Sequence, residues 1–126
     1  MIKTLMLVLL FPLFSYAQSD IVGDWKIDWT DESGMTQALK LAIASDGTFT
    51  VDAGMDAYID IEGKYVYEDG KMTVWDTGGD AACLGEKKGV YQVTADAGSM
   101  TLTQISEECP QRGGNNCVIT FERIGS

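Results

Sequence analysis

Two cysteines bracket a two-strand pattern, and this segment restricts the fold more than any other part of the chain. Between Cys83 and Cys109, apolar residues alternate with polar residues in two runs that are separated by a turn at residues 96–99. Such alternation is typical of β-strands with one buried face, and a short turn joins two such strands into an antiparallel hairpin. Antiparallel pairing brings the two ends of the hairpin together, so the pattern favours a disulfide between these cysteines.

The third cysteine, Cys117, leaves two other pairings open. A bond between Cys109 and Cys117 is the main alternative, because it would close the short loop of residues 110–116. We favour Cys83 with Cys109, whose closure would contribute about 3 to 4 kcal/mol to stability. Cys117 begins the last strand pattern, where we interpret it as a small buried hydrophobic residue.

The N-terminal residues have the pattern of a secretory signal. A basic residue, Lys3, precedes an apolar run, and the small residues Ser15 and Ala17 stand where a signal peptidase reads the chain. The apolar run is shorter than a helix that spans a bilayer of about 30 Å. The sequence therefore predicts a signal peptide over residues 1–17, one domain over residues 18–126, and a secreted or periplasmic protein without a lipid anchor.

The predicted mature chain is strongly acidic. Its eight basic and nineteen acidic side chains give a formal net charge of −11. Such a surface repels nucleic acid and anionic membranes, and it offers no site for phosphate groups. We expect no nucleic-acid partner and no membrane span, and we interpret the charge as a source of solubility.

The mature chain consists of short alternating runs with turn residues between them, and helical periodicity is absent from the sequence. About eight strands are predicted, which is enough to close a sheet whose interior holds side chains or one small ligand. The pattern is also compatible with a two-sheet sandwich. A glycine, Gly63, interrupts one long run without changing its alternation, which predicts a bend or bulge. Besides the hairpin, the runs contain Trp25, Ile27 and Trp29; Leu39, Leu41 and Ile43; Phe49 and Val51; Ile59, Ile61, Tyr65 and Tyr67; Met72 and Val74; Ile119 and Phe121.

Two motifs resemble those of lipocalin-like proteins. Gly23, Asp24 and Trp25 look like the Gly-x-Trp start of lipocalins and related calycin barrels, and residues 63–112 are similar to bacterial exported lipocalin-like domains. The latter similarity includes two Gly-x-Tyr strands and a Cys-Pro-x-Arg ending, although Met100 stands where leucine is usual. The resemblance implies an all-β, antiparallel up-and-down barrel of about eight strands with one disulfide.

The resemblance also implies how the barrel closes. In lipocalins the tryptophan of the first strand plugs one end, and a late arginine packs over it. Arg112 and Arg123 are both candidates for that arginine. We favour Arg123, because the last strand of a barrel can neighbour the first, and we expect Gly23, Trp25 and Arg123 to close the barrel.

The sequence offers little for catalysis. It contains no histidine, which removes the usual general base and the commonest zinc ligand. Asp76 and Asp80 are the obvious carboxylate pair, and with Thr77 they supply oxygen atoms of the type that calcium prefers. We interpret this segment as a flexible polar turn, and we expect no metal, no cofactor and no enzymatic activity. We also interpret further acidic residues as solvated strand faces and turns, namely Asp52, Asp56, Asp60 and Glu62.

The leading hypothesis is a binding module for a small apolar or amphipathic ligand. The alternative is a cell-envelope interaction domain with a filled core, and a carboxylate-based hydrolase ranks third. A barrel of this size favours a packed interior, so a continuous pocket of about 300 Å³ or more would distinguish the first hypothesis from the second. We expect Trp75 to face away from that interior. The residues expected to line the ligand site are Trp25, Trp29, Leu41, Phe49, Tyr65, Tyr67 and Tyr91.

Overall fold

The computed structural model describes residues 20–30, 33–112 and 116–124, and for residues 29 and 30 it describes the backbone alone. The predicted signal peptide over residues 1–17 and its cleavage site lie outside the described residues. All the descriptions below refer to the described part of the chain.

The strands form one closed antiparallel barrel in which each strand pairs with its neighbours in sequence. The described residues contain no helix. The predicted class, an all-β up-and-down barrel of about eight strands, is confirmed, and the two-sheet sandwich is not what forms. The strands are β1 (Gly23–Thr30), β2 (Thr36–Ile43), β3 (Thr48–Ala53), β4 (Ile61–Glu68), β5 (Lys71–Gly78), β6 (Gly89–Ala95), β7 (Ser99–Glu107) and β8 (Val118–Arg123).

Pairing between β1 and β8 closes the barrel, with Trp25 opposite Arg123 and Lys26 opposite Glu122. Closure satisfies the backbone groups that the edges of an open sheet would leave unpaired. The up-and-down order gives the barrel two different ends. The turn end carries the start of β1, the end of β8 and the short connections at residues 44–47, 69–70 and 96–98. The loop end carries the longer connections at residues 31–35, 54–60, 79–88 and 108–117.

Trp25 fills the turn end. Its side chain is fully buried, and its indole N–H donates to the backbone oxygen of Ile21 at 2.9 Å. The guanidinium of Arg123 lies over the indole ring, 4.1 Å from the ring centroid. Gly23 has φ of 139°, and a Cβ atom at this position would collide with Nη1 of Arg123. The structure therefore places Gly23, Trp25 and Arg123 together at the turn end.

Alternation along the strands turns one set of side chains into the barrel. The resulting core consists of Ile21, Trp25, Ile43, Phe49, Tyr65, Met72, Tyr91, Val93, Met100, Leu102 and Phe121. Removal of these apolar side chains from water supplies most of the favourable free energy of folding. Trp75 occupies the opposite register from Met72 and is half-buried, with Nζ of Lys88 5.3 Å from its ring centroid.

A bulge interrupts the pairing of β4 with β5, because Glu62 pairs with Gly78 and Gly63 with Asp76, which leaves Thr77 on β5 as the extra residue. Gly63 faces the interior, where a Cβ atom would overlap the ring of Phe49 and lie 2.6 Å from the backbone oxygen of Trp75. The predicted strand is nevertheless too long, because β4 begins at Ile61. Ile59 lies in the preceding loop and is 39% exposed.

The disulfide between Cys83 and Cys109 is confirmed, with 6.3 Å between the two Cα atoms. It joins the connection at residues 79–88 to the connection at residues 108–117, both at the loop end. Cys117 is half-buried and is the free cysteine. Within the described residues, no helix has the length and apolar character to cross a membrane.

Candidate functional site

The interior of the barrel contains a cavity of about 240 Å³ that is partly open to solvent. Its wall is apolar except where Asp76, Gln111 and Arg112 reach it, and the last two belong to the β7–β8 connection. The polar part of the wall is therefore at the loop end, away from the Trp25 plug. The remaining lining residues are Leu39, Leu41, Ile43, Phe49, Val51, Ile61, Tyr65, Met72, Val74, Tyr91, Leu102, Ile119 and Phe121.

Four of the seven residues predicted to line a ligand site lie on the cavity wall: Leu41, Phe49, Tyr65 and Tyr91. Trp25 belongs to the plug, so its indole closes the turn end and does not line the cavity. Tyr67 also does not line it. This half-buried side chain follows Tyr65 in the same register, two positions nearer the turn end. The side chain of Trp29 lies outside the described residues.

Asp76 lies inside the barrel, which corrects the prediction of a flexible polar turn. It occupies the last inward position of β5, after Met72 and Val74, and is 5% exposed. Asp80 lies in the next loop, where it is exposed and accepts a hydrogen bond from the Tyr58 hydroxyl at 2.6 Å. The two carboxylates thus have different partners and different surroundings, and the pair required by the hydrolase hypothesis does not form.

The segment proposed for calcium is divided in the same way. Thr77 is exposed and directs its hydroxyl to the backbone oxygen of Glu62, at 3.3 Å. Asp76 faces the interior and Asp80 faces solvent. Their oxygen atoms therefore do not surround one point, as the ligands of a calcium ion must.

Arg112 bridges two buried carboxylates at the mouth of the cavity. Its Nη1 donates to Oε1 of Glu107 at 2.8 Å, and its Nη2 lies 3.2 Å from Oδ1 of Asp76. The Glu107 side chain is 6% exposed and the Asp76 side chain is equally well buried. We call these three residues the Arg112 cluster. Ion pairs removed from water in this way are stable only when additional hydrogen bonds hold the charged groups.

The two disulfide-bonded cysteines supply two of those hydrogen bonds through their backbone N–H groups. The backbone N–H of Cys83 donates to Oδ2 of Asp76 at 2.7 Å, and the N–H of Cys109 donates to Oε1 of Glu107 at 2.9 Å. Each carboxylate that holds Arg112 is therefore itself held by one half of the cystine. The disulfide therefore lies next to both carboxylates of the Arg112 cluster.

The two tyrosine hydroxyls on the cavity wall already have partners within the protein. Tyr65 donates to the backbone oxygen of Ala44, and Tyr91 donates to Oε2 of Glu107. Burial raises the pKa of Tyr91 above its usual value, and the hydrogen bond to Glu107 raises that pKa further. Tyr91 consequently stays protonated at neutral pH and donates its hydroxyl hydrogen to Glu107. Neither hydroxyl hydrogen is directed to the cavity.

The second amino group of Arg112 does not have such a partner. Nη2 is buried, and although Asp76 is close, the direction between them does not meet the geometry of a hydrogen bond. Among the side chains that the structure describes, Nη2 of Arg112 is the one buried nitrogen or oxygen atom that has no hydrogen-bond partner. The ion pair with Asp76 compensates its charge, while a donor hydrogen without an acceptor leaves the group suited to receive an acceptor atom from a ligand.

The acidic residues of the β3–β4 region form a second cluster. Asp52, Asp56 and Asp60 have carboxylate oxygens within 4.8 Å of one another. Asp52 is buried, which corrects its interpretation as a solvated residue. Its two oxygens accept from the N–H groups of Asp56 and Ala57, at 3.1 and 3.0 Å. Asp60 accepts from the N–H of Ala53 at 2.8 Å. These carboxylates stabilise the fold of the loop at residues 54–60.

Sequence reasoning missed Glu107 and the role of Arg112. The register of β5 does contain a signal for Asp76, since Met72, Val74 and Asp76 are spaced by two and a strand turns all three to the same face. Glu107 and Arg112 lie at the end of a strand and in a loop, where alternation carries no information about direction.

The chain matches no protein-family model, no curated protein and no solved structure. An argument about function therefore begins with the cavity and the Arg112 cluster. Together they provide an apolar chamber with one polar region at its mouth.

Proposed function

We propose that this protein is an exported, lipocalin-like binding module that holds one small and mainly apolar molecule inside its barrel. The observation that carries the proposal is the cavity of about 240 Å³, with its apolar wall and the Arg112 cluster at its mouth. Ligand sites typically combine an apolar surface with a small number of fixed polar groups. The Cys83–Cys109 disulfide is consistent with an exported protein, since such bonds persist in oxidising compartments.

The volume and the wall of the cavity support ligand binding over a filled core. Protein interiors normally leave few voids larger than a water molecule, whereas this barrel contains about 240 Å³ of space with a mainly apolar wall. Larger side chains at Val51 or Val74 would fill part of this space, and their absence favours a chamber kept for a ligand.

The volume restricts the size of the ligand. The cavity is smaller than the volume of about 300 Å³ that we expected to distinguish a ligand site from a filled core, so the volume alone does not decide between the two. A cavity of about 150 Å³ in another protein holds benzene, so by proportion this one accommodates about ten non-hydrogen atoms. The proposed ligand is accordingly a small molecule and not a long lipid chain.

Methyl NMR during titration with butylbenzene tests the proposal. The probe has about ten non-hydrogen atoms and no polar group, so it reports on the apolar chamber alone. We expect saturable shifts, with one molecule bound per chain, at the cavity methyl groups of Leu41, Leu102 and Ile119. The exposed methyl groups of Val66 and Ile105 are internal controls. Shifts confined to the exposed methyl groups, or no saturable shift, would contradict the proposal.

A further inference from the structure

We propose that the ligand of this cavity is electrically neutral and carries one hydrogen-bond acceptor oxygen, such as that of a ketone, an ester or an alcohol. This inference rests on the proposed function and names the chemical class that the same site selects. The acceptor oxygen binds Nη2 of Arg112, and the hydrocarbon part of the ligand fills the apolar chamber.

The donors of Arg112 indicate the acceptor. Nη1 is engaged twice, with Oε1 of Glu107 at 2.8 Å and with the backbone oxygen of Lys87 at 3.2 Å. Arg112 lines the cavity, and its Nη2 is buried without a hydrogen-bond partner in the described part of the chain, although it lies 3.2 Å from Oδ1 of Asp76. The tyrosine hydroxyls on the wall direct their hydrogens to Ala44 and Glu107. Gln111 and Arg112 are thus the wall residues with donors to offer, and of the two we assign Arg112, because hydrogen bonds from charged donors are stronger than those from neutral ones.

The charge of the Arg112 cluster argues against an anionic ligand. One guanidinium and two carboxylates give a formal charge of −1, so the positive charge of Arg112 is already more than balanced. A ligand carboxylate would bring a third negative charge into a site shielded from water, where an uncompensated charge is strongly unfavourable. The neighbouring lysine gives no compensation, because Lys88 lies over the Trp75 ring on the outer face of β5.

A cationic ligand is disfavoured for a different reason. An ammonium group is a donor, so it would leave Nη2 of Arg112 unsatisfied and would place a second positive charge beside the guanidinium. Both oxygens of Asp76 already face protein groups, namely the Cys83 N–H and Arg112. A neutral acceptor satisfies the buried donor and adds no charge.

Four probes with the same phenyl-alkyl skeleton and about ten non-hydrogen atoms separate these alternatives: butylbenzene, 4-phenylbutan-2-one, 3-phenylpropanoate and 3-phenylpropylamine. Their affinities for the folded, disulfide-bonded protein are measured by NMR titration at neutral pH. We expect the ketone to bind about tenfold more tightly than butylbenzene, as one charge-assisted hydrogen bond predicts. We expect the anion and the cation to bind at least about tenfold more weakly than the ketone.

The outcomes separate this inference from the proposed function. Binding of butylbenzene with no advantage for the ketone, or tightest binding by either charged probe, overturns the inference and leaves the binding function standing. Absence of saturable binding for all four probes overturns both.

A single substitution tests the charge argument. Asp76→Asn keeps an acceptor for the Cys83 N–H and brings the formal charge of the Arg112 cluster to zero. We expect it to reduce the preference for the ketone over 3-phenylpropanoate by about tenfold. Asp69→Asn is the matched control, because it removes the same charge from an exposed position at the turn end. An unchanged preference in folded Asp76→Asn overturns the charge argument, and if that variant does not fold, the four-probe series on the natural protein decides.

Discussion

The guanidinium of Arg123 lies 4.1 Å from the centroid of the Trp25 indole ring, and this contact joins the last strand of the barrel to the first. The two residues are also directly opposite each other in the β1–β8 pairing. Arg123 donates further hydrogen bonds to the backbone oxygens of Asp20, Val22 and Ala97, at 2.9, 3.0 and 2.9 Å. One side chain therefore holds the chain entering β1, the β6–β7 turn and the buried tryptophan together.

We expect Arg123→Ala to lower the free energy of unfolding by about 3 kcal/mol. The substitution removes both the stacking on Trp25 and the hydrogen bonds to three carbonyl groups. Arg123→Lys should recover about half of the loss, because an ammonium keeps the charge and cannot reproduce the planar set of donors. Urea denaturation followed by tryptophan fluorescence measures both effects. The exposed Lys64→Ala, on the outer face of β4, should leave the midpoint unchanged.

The barrel was predictable because two-residue alternation fixes the strands. The spacing of Trp25 and Ile27, and that of Met72 and Val74, determines which face each strand buries. The disulfide was predictable for a related reason, since an antiparallel hairpin brings residues before and after it together. Both predictions depend on local periodicity. They hold in the folded chain because every strand of a closed barrel has one face that points inward.

The polar side of the cavity was not predictable in the same way. The glycines after Asp76 predicted that this residue belongs to a turn. In the structure the strand continues to Gly78, and the carboxylate of Asp76 faces the interior. Its burial depends on Arg112, which arrives from a loop more than thirty residues later. Asp52 is likewise on the outer register of β3 and is covered only because its own loop folds over it. Loop conformation depends on such tertiary contacts, which periodicity does not contain.

Gly63→Ala should destabilise the protein by about 2 to 3 kcal/mol. The new methyl group would overlap the Phe49 ring and approach the backbone oxygen of Trp75, and overpacking of this kind forces shifts in neighbouring strands. Gly78→Ala is the matched control, since the nearest atom to a Cβ there is Oε2 of Glu62 at an ordinary 3.7 Å. Thermal denaturation of the two variants compares them directly. Equal melting temperatures would show that the packing of Gly63 beside the β4–β5 bulge does not require glycine.

Loss of the disulfide should weaken both stability and ligand binding. Cys83 and Cys109 are separated by 26 residues, and release of a loop of this length costs about 3 to 4 kcal/mol. The double variant Cys83→Ser/Cys109→Ser also frees the N–H groups that position Asp76 and Glu107, so we expect weaker binding of 4-phenylbutan-2-one in the fraction that remains folded. Cys117→Ser is the control, and it should retain both the cross-link and the affinity. An unaltered affinity in the double variant would mean that the loops hold the Arg112 cluster without the bond.

Stability should decrease in alkaline solution, partly because of Tyr91. Burial and the hydrogen bond to Glu107 raise the pKa of Tyr91 in the folded protein, while in the unfolded chain it titrates near its ordinary value of 10.0. The stabilising contribution is complete below pH 10 and is lost as the pH rises toward the folded pKa, because only the unfolded chain then releases the proton. One such group contributes at most about 1.4 kcal/mol per pH unit. Urea midpoints between pH 9 and 11 measure the slope, and Tyr91→Phe should make it shallower. Identical slopes in the two proteins would assign the alkaline loss to other groups.

Enlarging a side chain inside the cavity should exchange binding for stability. Val74 lines the cavity on β5, next to Asp76 in the inward register, so Val74→Phe places an aromatic ring in space that is otherwise unfilled. We expect butylbenzene to bind at least about tenfold more weakly, and we expect the free energy of unfolding to rise by about 1 kcal/mol, as cavity-filling substitutions commonly achieve. The same change at Val66, which is exposed on the outer face of β4, is the matched control and should alter neither quantity greatly.

The two effects of Val74→Phe carry different information. Weaker binding together with greater stability is the result expected if natural selection has kept the chamber at a cost in stability. Lower stability would mean that the wall cannot accept a ring, and a milder Val74→Leu would then test the chamber with less strain. If a stable Val74→Phe protein binds butylbenzene with full affinity, the probe binds outside the barrel. That result would contradict the proposal that the cavity is the ligand site.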